Sequence, residues 1–310
     1  MRNEPRRKVA VHVFSSPVKT WKDQTKENQS RIYLELGKWA WHQRRCIMVY
    51  LTSDIHGAFD IHKINPDEFK AASQLGPDDY LVICGDFGCI WDGGSSDNFW
   101  LNWLESLPWT TVFIDGNHEN FDVLNEYPVV DWKGGKAGKI RSNIYHLRRG
   151  ERYEFGGKSW LCLGGGFSHD VAYRSAGINW WEEEIFSKEE VEHTLDTLEK
   201  CDWKVDCILS HDIFSSHPIT KRYTNSMNLY SSNRVNQQDF LETIRQKTDY
   251  SIWFFGHYHQ DRLDFFDGKP VYMLYDTVEE VDTLKQKAEE MRSKLSSSLT
   301  TLDSQESCVL

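Results

Sequence analysis

No stretch of this 310-residue chain approaches the roughly 18 consecutive apolar residues of a membrane span, so none is expected. The seven cysteines include no CxxC pair, and their number is odd. Cys84 and Cys162 sit inside apolar runs, as buried free thiols do. A disulfide framework is therefore not expected, and the pattern fits a reducing cytosol. A positive surplus is also missing: the formal net charge is −11. Such a surface has no long-range attraction for polyphosphate backbones, which leaves nucleic acid possible but not favoured as a partner. Arg6-Arg7 is followed by only a short apolar stretch, broken by His12, so a secretory or twin-arginine signal has little support. No internal repeat is visible. Aromatic residues, at 14%, and 13 tryptophans are instead plentiful, enough for a sizeable core.

Charge is unevenly distributed. Residues 1–47 carry 11 Lys/Arg against 4 Asp/Glu. They read as a basic N-terminal extension outside the ordered domain, or as an interaction arm. Met48 stands just before Val49-Tyr50-Leu51-Thr52-Ser53-Asp54, where an ordered domain of residues 48–276 is expected to begin. Apolar runs at Ile47–Leu51, Tyr80–Cys84, Thr111–Ile114, Ser159–Leu163, Cys207–Leu209, Ile252–Phe255 and Val271–Leu274 predict short strands. Several lack polar alternation, which suits strands covered on both faces. Helices are expected over Pro66–Gln74, Phe99–Ser106 and Asn236–Lys247. A further one runs from the capping box Ser187-Lys188-Glu189-Glu190 to about Lys200. Alternation of strands and helices argues for an α/β fold. Asp267-Gly268 signals a hairpin turn, and antiparallel pairing is expected between Ile252–Phe255 and Val271–Leu274. In residues 277–310, Val278, Val281, Leu284, Ala288, Met291 and Leu295 step by three or four before a polar tail. That is an amphipathic helix, docked on the domain or forming a homo-oligomer contact.

Polar clusters punctuate these runs: Asp54-Ile55-His56, Gly85-Asp86, Gly116-Asn117-His118-Glu119, Ser210-His211-Asp212 and Gly256-His257-Tyr258-His259. Each holds short oxygen or nitrogen donors, and most follow a strand-like run. Residues i and i+2 of an extended chain point the same way, so Asp54 with His56, and His257 with His259, can each reach one ion. Asp86, Asn117 and His211 add further donors. His118 is left for acid chemistry. Taken singly these are weak signals, since a histidine at a strand end is commonly structural. Jointly they predict a metal centre. Mixed imidazole and carboxylate donors suit Mn, Fe, Zn or Co. Seven donors exceed what one zinc ion takes, and sharing Asp86 gives two ions four protein ligands each.

In these blocks the sequence resembles the calcineurin-like metallophosphoesterases, over roughly Met48 to Asp276. The resemblance implies a sandwich of two mixed β-sheets flanked by helices, with the site at strand C-terminal ends. It implies Asp54, His56, Asp86 and His259 around one metal, and Asp86, Asn117, His211 and His257 around the other. His118 would then be the general acid at the leaving oxygen, with Asn117 also near the substrate. One block departs from part of the family. Gly85-Asp86-Phe87-Gly88-Cys89-Ile90-Trp91-Asp92 lacks the Asp and Arg of GDxxDRG, which disfavours the protein serine/threonine phosphatase and diadenosine-polyphosphate hydrolase branches. Asp92 or Asp115 is the candidate substitute for the acid that orients the catalytic histidine. The run Gly164-Gly165-Gly166-Phe167-Ser168-His169-Asp170 resembles the glycine-rich loop of small bacterial and phage-type members. It is expected to border the site, with Arg174 on phosphate and Trp180-Trp181 as a wall or as packing. His169 has no assigned role.

The expected function is hydrolysis of a phosphomonoester or phosphodiester, on a small or flexible substrate, by hydroxide activated between two divalent ions. The alternatives are a nuclease or cyclic-nucleotide phosphodiesterase on the same site and, from another class, a non-catalytic metal-stabilised scaffold.

Overall fold

The computed structural model describes residues 46–223 and 227–306, with side chains described as far as residue 295. The basic extension lies almost wholly outside the described residues. In chain order the first strands are β1 (Val49–Thr52), β2 (Tyr80–Cys84), β3 (Thr110–Ile114), β4 (Val129–Trp132), β5 (Gly135–Arg141), β6 (Ile144–Leu147), β7 (Arg152–Phe155) and β8 (Lys158–Leu163). They are followed by β9 (Lys204–Ser210), β10 (Asp249–Phe255), β11 (Arg262–Phe266), β12 (Lys269–Met273) and β13 (Glu279–Glu280). Helices are α1 (Ser95–Glu105), α2 (Phe121–Leu124), α3 (Lys188–Lys200), α4 (Gln237–Lys247) and α5 (Val281–Glu306).

Two mixed sheets result, ordered β13-β1-β2-β3-β6-β5-β4 and β11-β12-β10-β9-β8-β7. The centre of each is parallel: β1, β2, β3 and β6 in one, β8, β9, β10 and β12 in the other. The apolar runs are continuous because successive side chains enter different cores. Val82, Cys84, Val112 and Ile114 meet Trp160, Cys162, Cys207, Leu209 and Phe254 between the sheets. Leu81, Ile83 and Phe113 face outward onto Leu101 and Leu104 of α1. Leu161, Ile208, Trp253 and Phe255 face outward onto Leu198 of α3 and Leu241 and Ile244 of α4. This gives the expected sandwich with helices outside. The Ser187 capping box forms, with both reciprocal hydrogen bonds present. Helix α5 buries Val281, Leu284 and Ala288 in the inter-sheet core, while Met291 and Leu295 are exposed.

Some expectations fail. β10 and β12 pair in parallel, not antiparallel. The chain passes from β10 to β11 at the sheet edge and returns as β12 between them; the antiparallel pair is β11 with β12. Its turn is the expected Asp267-Gly268, with φ of 49° and 73°, the left-handed pair a tight hairpin requires. Residues 66–74 do not form an α-helix: 66–68 are a turn and only Lys70–Gln74 make a 3₁₀ segment. Strands β4 to β7 had no sequence-based counterpart.

Candidate metal centre

All five polar clusters sit at strand C-terminal ends. Asp54 and His56 follow β1, Asp86 follows β2, Asn117 and His118 follow β3, His211 follows β9, and His257 and His259 follow β10. These strands run parallel within their sheets, so their ends open on the same side, where ligands of open α/β sheets bind. The backbone turns sharply there. Asp54, His56, Asp86, His257 and His259 all have positive φ, between 43° and 71°. Side chains other than glycine rarely adopt this region, and such strain concentrates at functional sites. Backbone hydrogen bonds lock the turns together: Asp54 N–H to Gly85 O at 3.1 Å, His56 N–H to Asp86 O at 2.9 Å, and Gly256 N–H to His211 O at 3.1 Å.

The side chains converge on Asp86. Its Oδ2 lies 3.3 Å from His56 Nε2, and its Oδ1 lies 3.3 Å from His211 Nε2. The two oxygens of one buried carboxylate thus face two different donor sets. On one side, ligand atoms of Asp54, His56, Asp86 and His259 all fall within 4.8 Å of one another. His259 Nε2 is 3.3 Å from Asp54 Oδ1, and its ring stacks on Tyr275. On the other side, His211 Nε2 is 3.2 Å from Asn117 Oδ1, and the His257 ring centroid is 4.9 Å from that of His211. Glycines make room: a Cβ on Gly116 would sit 2.0 Å from Asp86 Oδ1, and one on Gly85 would sit 2.2 Å from His211 Nδ1.

The hydrogen bonds behind these donors fix what each presents. His56 Nδ1 lies 3.0 Å from Asp60 Oδ2, and His211 Nδ1 lies 2.8 Å from the Cys84 carbonyl. Each contact holds the proton on Nδ1 and leaves Nε2 facing the centre. Asn117 donates through Nδ2 to Ser168 Oγ at 3.2 Å, and Ser168 donates to Glu184 at 2.6 Å, so Asn117 presents Oδ1. His211 Nε2, Asn117 Oδ1 and Asp86 Oδ1 are then three acceptors facing one another. A proton or a cation must stand between them. His257 Nε2 is buried and without a hydrogen-bond partner among the described residues. A cation satisfies both conditions, so the residues fit a metal centre. Protonation shows the same demand. Burial opposes charge on His56 and His211, yet Asp86 and Asp54 lift their pKa values to about 9 and about 10. Burial and neighbouring His211 and His169 push His257 well down.

Two supporting groups brace these loops: Lys63, which no sequence pattern announces, and Glu119, the last residue of the Gly116-Asn117-His118-Glu119 cluster. Lys63 is buried and donates to the carbonyls of Ser53 at 2.9 Å, Asp54 at 3.0 Å and Tyr275 at 2.8 Å. Glu119 accepts from Phe87 N–H at 2.7 Å, tying the β3 loop to the β2 loop. Burial, reinforced by Asp86, raises its pKa to about 8.

His118 stands beside this cluster. Its N–H donates to Asp86 Oδ1 at 2.8 Å, and its ring lies 5.5 Å from that of His56. Neither Asp92 nor Asp115 is aimed at it as an orienting acid. Asp115 is buried against Arg149 and against His146 Nε2 at 3.0 Å, and Asp92 accepts from Gly94 N–H. Arg174 comes instead, with Nη2 3.1 Å from His118 Nε2 and Nε 2.6 Å from Asp170. Burial, then Arg174, outweigh Asp86 and lower the His118 pKa. The glycine-rich loop borders the centre through Gly166, whose added Cβ would lie 3.1 Å from His211 Cδ2. Its amides are committed elsewhere: Gly165 to Asp115 O at 2.7 Å and Gly166 to Glu184 O at 2.8 Å. Trp180 packs with Tyr230, and Trp181 donates to Asp122 and backs Trp91 edge-on, so the pair is packing. His169 stacks on Tyr223, 4.7 Å from the His257 ring.

Residues 47–261 match the family model of the calcineurin-like phosphoesterases. No curated protein matches the chain. Among solved structures it is similar to a candidate 5′-nucleotidase from Staphylococcus aureus, at 14% identity and a TM-score of 0.42. That alignment covers 80% of this chain but 58% of the nucleotidase. A phosphopantetheinyl hydrolase from Mycobacterium tuberculosis aligns at 15% identity and a TM-score of 0.35, over 74% of this chain and 90% of that one. GAP50 of Plasmodium, an anchor in the inner membrane complex, aligns at 11% and 0.40, over 74% and 72%. Among the described residues no helix is long and apolar enough to cross a membrane. The matched segment covers most of the chain and contains every donor described above: the chain belongs to the calcineurin-like phosphoesterase family.

Proposed function

We propose that the chain hydrolyses small phosphorylated substrates at a centre built for two divalent ions. The observation that carries this reading is Asp86, whose two oxygens face His56 and His211 at 3.3 Å each. Asp54, His56, Asp86 and His259 would hold one ion; Asp86, Asn117, His211 and His257 would hold the other. When bound, such a pair supplies an activated hydroxide and charge neutralisation for an in-line displacement at phosphorus. Mixed nitrogen and oxygen donors suit Mn, Fe, Zn or Co.

The remaining roles belong to this chain's own groups. His118 would deliver a proton to the leaving oxygen as general acid. Arg174, held by Asp170, would grip a phosphoryl oxygen beside it, supplying the cation that the Gly85-Asp86 block lacks. Asn117 would meet substrate as well as metal. Lys63 and Glu119 hold the loops so that the donors stay aimed. The intact donor set favours this reading over a non-catalytic scaffold. With manganese added, a chromogenic phosphate ester should be hydrolysed, and chelator should abolish the reaction. Hydrolysis that survives chelation would remove the proposal. Comparison of mono- and bis-esters separates phosphatase from phosphodiesterase action.

A further inference from the structure

A cleft of about 660 Å³ opens directly onto His56, His118 and His259. Two aromatic side chains line it, Phe59 and Trp91, and neither belongs to the hydrophobic clusters of the described residues. Phe59 is 84% exposed, in the turn just after a metal-ligand position. No packing role in the fold accounts for it. Trp91 is held at its backbone, where the amide N–H donates to Asp97 Oδ2 at 2.6 Å and the carbonyl accepts from Asn120 Nδ2, and at its ring, which Trp181 meets edge-on at 88°. A fixed indole loses little freedom when something stacks on it. Beyond the donor histidines the charged lining is of one sign: Asp60 and Asp92 contribute carboxylates, that of Asp97 is buried and taken up by the backbone N–H groups of Trp91, Asp92 and Gly93, and no Lys or Arg lines the cleft. Arg174 touches His118 but is not part of this wall.

We propose that this cleft takes the leaving group, and that it selects a flat aromatic alcohol carrying no negative charge. The inference rests on the proposed function, because His118 and His56 then mark where the ester oxygen lies. Aromatic faces offer stacking energy to a planar group that a saturated ring cannot match. The aspartates reject a second phosphate or a carboxylate on the same group by like-charge juxtaposition. Polyphosphates and oligonucleotide chains are disfavoured for that reason.

The test uses the full chain loaded with manganese and non-hydrolysable phosphonates, so that leaving-group reactivity plays no part. Dissociation constants are measured by calorimetry for benzylphosphonate, cyclohexylmethylphosphonate and 4-carboxybenzylphosphonate. Benzylphosphonate should bind about 10-fold more tightly than either of the others. Phe59→Ala and Trp91→Ala should each bring the benzyl-to-cyclohexylmethyl ratio toward one, and Trp91→Phe should restore it. Equal binding of the three in the wild-type protein overturns the inference, as does a preference that survives both alanine substitutions. Manganese-dependent ester hydrolysis, run in parallel, separates the two levels. If it persists without aromatic preference, the inference alone falls. If it is absent, the proposed function falls and takes the inference with it.

Discussion

Gly116→Ala tests the centre through a single methyl group. The Cβ would appear 2.0 Å from Asp86 Oδ1 and 2.4 Å from the Asp86 amide nitrogen, where real contacts keep at least 3.0 Å. Gly116 is not in the left-handed region, so alanine itself causes no backbone strain. The load falls on Asp86, whose carboxylate must retreat by about 1 Å, several times the ~0.2 Å tolerance of a metal-ligand bond, and whose backbone must give by about 0.6 Å as well. Asp86 is the residue both donor sets share, so both should suffer. A displacement of this size costs on the order of 100-fold in rate. Gly116→Ala should therefore fold, as judged by its circular dichroism, yet hold less than half the wild-type metal by elemental analysis. Turnover of a chromogenic ester at saturating manganese should fall about 100-fold or more. Full metal content with a rate within about threefold of wild type would refute the reasoning, because it would mean that Asp86 is not held where its oxygens must be.

His118→Ala should keep its metal content while losing about 10²–10⁴ in kcat; metal loss matching the rate loss would remove the general-acid role. Arg174→Ala should lower kcat/KM by about 10-fold or more, the worth of a charge-assisted hydrogen bond to phosphate; unchanged kinetics would leave Arg174 a structural residue of its loop. Lys63→Met should destabilise the protein by about 1–3 kcal/mol in urea titrations, since three carbonyls lose their donor; an unchanged midpoint would contradict that bracing role. A pH effect is expected away from the centre. Burial opposes charge on Glu242, but Arg245, Ser216 and Gln246 bring its pKa down to about 2. A depressed carboxylate stabilises above its unfolded pKa, and that contribution is lost as pH falls toward the folded value. Between about pH 6 and about pH 3 the wild-type unfolding free energy from urea titrations should therefore fall further than that of Glu242→Gln, by a difference near 1 kcal/mol for a partly exposed group; parallel curves would contradict it.

The donors were readable because each lies just past the end of a buried run. The expected sharing of direction by i and i+2 was not the reason: Asp54, His56, His257 and His259 all have positive φ, and His257 and His259 fall in different donor sets. Asp86 and Asn117 are announced by the glycine before them, which the structure explains as clearance around Asp86 and His211. The parallel sheet centres were foreshadowed by runs such as Tyr80–Cys84, whose alternate residues fill different cores. What could not be read depended on three-dimensional return paths. β12 slips between β10 and β11, although chain proximity suggested simple antiparallel pairing. β5, Gly-Lys-Ala-Gly-Lys-Ile-Arg, looks like a loop because its pairing with β4 and β6 gives it the regular backbone its side chains do not favour. Lys63 was invisible because its partners are carbonyls, which every sequence supplies. The reach of Arg174 to His118 was likewise hidden, because the chain between them, a sequence separation of 56, carries no trace of it.

Metal stoichiometry tests the central claim most directly. The full chain is loaded with manganese, freed of excess ion by gel filtration and analysed for manganese and protein. The account predicts two ions per chain, with Asp86→Ala binding essentially none. Undiminished binding by Asp86→Ala, or a chelated, metal-free wild-type protein that still hydrolyses phosphate esters at full rate, would contradict it.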